Sequence, residues 1–392
     1  MTKVVRPDKM PVFYLPLLFF VLSVCIGLLL RANNAYSWFD LAYNRLLQAH
    51  SHVTFLGWGF LATLVLIHKK KQVTFDSVFR VLWLLLNVAV TGMLVAFIYV
   101  GYKPPSIAFL VLFLLTSYIY LIKLYRKLGS HRSLSNKLIR WGIIYYFISS
   151  LAVWIIPVVL LKTGKDWLYY DLIYFYLHFL YNGYFVFVIL GLILHQICKH
   201  NPEHSYLKKA FLWLNMAVVP AYFLSLYWHT TRSFVLYFGS ISGTFQLIGL
   251  GFLLGGIYKT TSAKLSGVLR MILVIFSIKV VLQFLSAFPS LAEKVLTFKP
   301  YFVIGYIHWV GLGFISMSLL WLYGFKERLM KRLAFIFFIS GFLLTELMLF
   351  YQGTAIMYGL SLIKPYNVYL FLGSVLIVIG VVLFLIQARQ QR

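Results

Sequence analysis

Ten histidines occur in the 392 residues, and five of them lie in or at the ends of long apolar blocks: His50, His52, His178, His229 and His308. Imidazole is costly in hydrocarbon unless it faces a partner or a cavity. It is also the usual protein ligand for haem iron and copper. Axial or equatorial ligation of a redox metal is therefore the chemistry these residues suggest. A second set is Lys279 and Glu346, charges of opposite sign near the middle of apolar blocks. A buried pair of opposite sign offsets part of each desolvation cost, and it reads as a proton path, a transport gate or a structural ion pair. The other histidines, His68, His131, His195, His200 and His204, lie in or beside basic loops and read as solvated loop residues.

The elements that must position these groups follow from composition. The chain is 62% hydrophobic and 11% charged, too few charges to cover a soluble protein of this length. Its apolar residues come in blocks long enough, as helices, to cross a hydrocarbon core of roughly 30 Å. Backbone amides in lipid must be satisfied within the segment, so helices are expected, and the alternation of an outer-membrane barrel is absent. The expected fold is an all-α polytopic membrane helical bundle of about twelve transmembrane helices, in a single transmembrane domain over 1–392. Spans are expected at 11–31, 47–68, 79–100, 105–125, 139–161, 172–198, 207–228, 234–257, 267–288, 300–323, 333–355 and 366–387. The first reads as a retained span, because the run is too long for a signal peptide and no small-residue cleavage site follows. No internal sequence repeat stands out.

Charge orients the spans. Of 35 basic residues, 25 fall in one set of loops and termini and nine in the opposite set, with Lys279 inside a span. The positive-inside rule then places both termini in the cytoplasm. The formal charge of +26 is thus loop charge that orients the chain and attracts anionic lipid. It does not form a basic groove interleaved with aromatics, which excludes nucleic acid as a partner. Cys25 and Cys198 fall on opposite sides of the membrane and cannot pair. No P-loop, GxGxxG, GxSxG or HExxH pattern is present.

With this topology, spans two, six and ten all run inward from the outer face. His50, His52, His178 and His308 sit near their outer ends, and His229 sits at the outer end of span seven. The depths agree within roughly 6–8 Å at 1.5 Å per residue. Five imidazoles in one slab of the outer leaflet favour a shared cofactor over five separate structural bonds.

These motifs resemble subunit I of the haem–copper oxidase superfamily, and also NnrS-type membrane proteins related to it. The segment Ala49-His50-Ser51-His52-Val53-Thr54-Phe55 resembles the span-two haem motif, with His50 as first choice of ligand and His52 as second. Leu177-His178-Phe179 resembles the span-six copper position, and Trp228-His229-Thr230 the span-seven histidine pair with its second member lost. Gly305-Tyr306-Ile307-His308 resembles the span-ten His-x-His segment with Tyr306 in place of the first histidine. The resemblance implies a haem held by His50 and His308, with Tyr306 at the high-spin ligand position. It implies copper at His178 and His229. Asn182 stands four residues after His178, where many oxidases place tyrosine, so a complete terminal oxidase is not implied.

The resulting expectation is a membrane haem protein for electron transfer or nitric oxide or oxygen chemistry, in a bacterial inner membrane. Its partners are the lipid bilayer, a quinol or cytochrome electron donor and other membrane subunits. Two alternatives stand beside it: a secondary transporter using Lys279 and Glu346, and a non-catalytic sensing or assembly subunit derived from an oxidase.

Overall fold

The computed structural model describes residues 14–37, 42–130, 133–198, 201, 203–227, 230, 232–261, 265–326 and 328–390. All regular secondary structure among them is helical. Twelve helices are long and apolar enough to cross a membrane: Leu15–Tyr36, Tyr43–Lys71, Ser77–Val100, Pro104–Lys127, Leu134–Lys162, Trp167–Ile197, Ser205–Leu226, Ser233–Thr260, Gly267–Leu285, Pro300–Tyr323, Arg328–Tyr358 and Tyr366–Gln390. The chain is an all-α polytopic integral membrane protein. Several helices outrun their apolar blocks, as at Leu134 and Arg328, because polar residues continue the backbone ladder beyond the hydrocarbon. Arg31, the last residue of the first expected span, lies inside its helix, which runs on to Tyr36.

Side-chain caps set the helix starts. Asp76 accepts from the Phe79 amide at 3.1 Å, Asp166 from Tyr169 at 2.9 Å and Ser266 from Leu269 at 3.3 Å. Asp76 also pairs with Lys123 at 2.7 Å and Lys127 at 2.8 Å, tying the start of span three to the end of span four. Partial burial pushes the Asp76 carboxyl upward, but the two lysines and the Phe79 amide outweigh this and hold it well below the usual carboxylate range. The turn between these spans needs Gly101, whose φ of 66° is left-handed.

The helices form two compact units, residues 1–128 with 319–392, and residues 129–318. Lipid gives helices no hydrophobic reason to associate, so close approach at small residues carries the packing. In the first unit, a Cβ on Gly341 of span eleven would lie 2.4 Å from the Gly373 carbonyl of span twelve. In the second, a Cβ on Gly183 of span six would lie 2.5 Å from Tyr145 Cβ of span five, and Gly249 and Gly256 of span eight receive Leu214 and Leu207 of span seven.

The structure reveals a local structural repeat beneath a sequence in which no repeat stands out. Spans two, six and ten each turn from α-helix to π-helix directly after a histidine. His52 precedes Val53–Phe60, His178 precedes Phe179–Phe185 and His308 precedes Trp309–Ser316. Five residues after each histidine stands a glycine (Gly57, Gly183, Gly313), then an aromatic ring (Trp58, Tyr184, Phe314). The preceding span supplies a ring to meet it. Centroids lie 4.5 Å apart for Phe20–Trp58, 5.4 Å for Tyr146–Tyr184 and 4.9 Å for Phe276–Phe314. Counterparts keep constant spacing: His52 to His178 and Phe20 to Tyr146 are both 126 residues, and His178 to His308 and Tyr146 to Phe276 are both 130. The first two spans of each four-span group thus share one local design. Most counterparts differ in residue type, so the sequence shows no obvious repeat.

Candidate functional site

The first module builds its site on span two. His50 Nδ1 lies 2.8 Å from the Ser23 carbonyl of span one. A carbonyl only accepts, so Nδ1 carries the proton and Nε2 is the lone-pair nitrogen. Thr54 Oγ1 donates to the His50 carbonyl at 2.7 Å, and the Ser23 and Thr54 hydroxyls bond to each other. Gly27 leaves room for the ring, since a Cβ there would come within 3.0 Å of His50 Cε1. His52 is placed differently. Its Nδ1 lies 2.8 Å from the Gln48 carbonyl, its Nε2 3.0 Å from Tyr102 Oη, and its ring stacks on Phe97 with centroids 4.4 Å apart. Both of its nitrogens therefore serve the fold.

In the second module His178 is buried. Its Nε2 donates to the Val218 carbonyl at 2.8 Å, which leaves Nδ1 to accept from Asn182 Nδ2 at 3.2 Å. The position matching His50 is Tyr176, whose carbonyl accepts from the Ser149 hydroxyl at 2.8 Å. Ser149 matches Ser23 in turn.

In the third module Tyr306 matches His50. Its hydroxyl is buried and has no hydrogen-bond partner among the described residues. His308 is half-buried at the last α-helical position before the π stretch. Trp309 Nε1 donates to the Ile275 carbonyl of span nine at 3.0 Å. Counted from the first residue of its own span, His50 lies about 11 Å along the axis, His178 about 17 Å and His308 about 12 Å at 1.5 Å per residue.

The membrane charges have separate surroundings. Lys279 is 3% exposed and its Nζ lies 3.5 Å from Gln246 Oε1. Glu346 is fully buried, accepts from Thr345 Oγ1 at 3.1 Å, and acts electrostatically on the Arg31 guanidinium within the first unit. Arg31 and Gln246 are the neighbours that sequence reasoning missed. Three ion pairs occur among the described residues, Asp76–Lys123, Asp76–Lys127 and Glu203–Lys208, and none involves Lys279.

Two loop-like histidines prove to be structural. His68 is buried, bonding the Val73 carbonyl and Tyr120 Oη, both at 2.9 Å. His204 accepts the Tyr206 amide at the start of span seven. His131, His200 and His229 lie outside the described residues.

The donor sets can be tested against the implied groups. Of the residues implied for haem, His50 presents an imidazole with its proton fixed on Nδ1, and Tyr306, two residues before His308, has a buried hydroxyl with no hydrogen-bond partner among the described residues. Of the two residues implied for copper, His178 has both nitrogens hydrogen-bonded within the fold, and His229 lies outside the described residues.

Compared with models of known families and with curated proteins, the chain matches none.

Proposed function

We propose that this protein is a membrane haem protein in which His50 and His308 would hold the haem, serving electron transfer or the handling of a diatomic gas such as nitric oxide or oxygen. The observation that carries the reading is the His50–Ser23 contact. Metal-ligating histidines donate their other ring N–H to a carbonyl, carboxylate or water, which fixes the tautomer and raises ligand basicity. His50 has this arrangement in an apolar span; His52 also donates its Nδ1–H to a carbonyl, but its Nε2 is taken by the Tyr102 hydroxyl.

Bound haem supplies one-electron chemistry and an iron that takes gas ligands, tuned by axial ligand, hydrogen bonding and burial. The chain's own residues do the positioning. Ser23 and Thr54 fix the span-two turn beneath His50, and Gly27 admits its ring. Tyr306, two residues before His308 on span ten, offers its buried hydroxyl as a donor or ligand. Copper is left out of the proposal. Electrons reach the site from a quinol or a cytochrome in the bacterial inner membrane.

The experiment is a reduced-minus-oxidised optical spectrum with an iron count, on the purified wild type and on His50→Ala and His52→Ala. The reading expects stoichiometric haem in wild type and His52→Ala and a lost or altered low-spin spectrum in His50→Ala. Equal effects of the two substitutions would count against it.

A further inference from the structure

A small cavity lies within the second unit between spans six, seven, eight and nine. Its volume is about 20 Å³, and its polar lining is Asn182, Gln246 and Lys279. About 10–15 Å³ of such space holds one water-sized particle, so the cavity takes a single small occupant.

Lys279 and Gln246 are 3% and 6% exposed, and the 3.5 Å between them is long for a bond to an ammonium. Asn182 Nδ2 donates one N–H to His178 Nδ1 and has a second with no hydrogen-bond partner among the described residues, while its buried Oδ1, an acceptor, takes no part in holding an anion. An ammonium has three N–H donors, and one long contact leaves it under-bonded in a medium where unpaired charge is expensive.

The repeat shows that the fold does not itself call for this polarity. At the position of Lys279 the other two modules hold Ser23 and Ser149, and at that of Asn182 they hold Leu56 and Leu312. Serine serves helix contact in that slot, through the His50 and Tyr176 carbonyls. A lysine and an asparagine replace a serine and a leucine only where the cavity lies.

We propose that this cavity is a binding site for one monatomic anion of the chloride class, held by the Lys279 ammonium and the side-chain amides of Gln246 and Asn182. The anion supplies the counter-charge that no ion pair gives Lys279, and the cavity's size excludes larger oxyanions. The site is independent of haem at His50 and His308.

The test is thermal unfolding of the full-length protein in detergent, at constant ionic strength, as chloride replaces gluconate. The wild type should gain stability in a saturable way, because a ligand that binds only the folded state stabilises it by mass action. Lys279→Ser and Asn182→Leu install the residues of the other modules, so each should fold and lose the chloride response. Lys71→Gln, on the cytoplasmic end of span two, should keep it. A wild type indifferent to chloride overturns the proposal and leaves water as the occupant. Variants that respond like the wild type overturn it equally and assign the effect to surface charge.

Discussion

His50 Nδ1 donates to the Ser23 carbonyl of span one across 2.8 Å, whereas His52, two residues away, donates its Nδ1–H to Gln48 of its own helix and has its Nε2 taken by the Tyr102 hydroxyl. Span one supplies the acceptor, so helix packing and not local sequence decides which nitrogen of His50 keeps its lone pair. His52 points both nitrogens at protein acceptors and donors on its own side of span two.

His52→Phe should therefore keep the haem spectrum and lose stability. The ring stays on Phe97 while two hydrogen bonds disappear, a cost of about 1–3 kcal/mol. A thermal melt beside an optical spectrum measures both effects. Loss of the spectrum in this variant would make His52 the ligand.

Gly183→Ala should cost about 1–3 kcal/mol by overpacking, because its Cβ would meet Tyr145 Cβ at 2.5 Å. Gly251→Ala is the internal control, with nothing within 4 Å of the added carbon. It should be neutral or slightly stabilising, since alanine is the better helix former. Detergent melts of both variants check the pair.

Asp76→Asn keeps a capping oxygen but removes the charge that meets Lys123 and Lys127. The expected loss is about 1 kcal/mol or less for such partly exposed pairs. A carboxyl held below its ordinary value of 3.8 stabilises the fold above that value and loses the contribution as pH falls through its folded one. The gap in melting midpoint between wild type and Asp76→Asn should thus be constant at neutral pH. It should narrow only as the pH drops below about 4.

His308→Ala should remove the same spectral feature as His50→Ala if both rings ligate one iron, whereas Tyr306→Phe should leave low-spin haem in place and alter gas binding. Nitric oxide or carbon monoxide titration of the reduced protein, read optically, distinguishes the two outcomes.

The twelve spans were legible in the sequence because length and hydropathy alone determine what can cross a bilayer. Helix ends were less so: Arg31 and Leu134 continue their helices past the apolar block, where hydropathy gives no signal. The repeat was hidden because its members preserve contacts and not residue types. Phe20, Tyr146 and Phe276 perform one task with different rings, and only the short His-to-Gly spacing in spans two, six and ten could have shown it. The ranking of His50 above His52 rested on the resemblance alone, since the Ser23 carbonyl and the Tyr102 hydroxyl come from other elements and no motif records them. Gln246 and Arg31, the neighbours of Lys279 and Glu346, come from other helices and carry no sequence spacing of their own.

The most direct measurement is the absorption spectrum of the purified wild-type protein, oxidised and then reduced with dithionite, alongside its iron content. Haem ligated by His50 and His308 predicts iron near one per chain and a Soret band that moves on reduction and collapses in both alanine variants. A colourless protein free of iron, from cells supplied with haem, would contradict it.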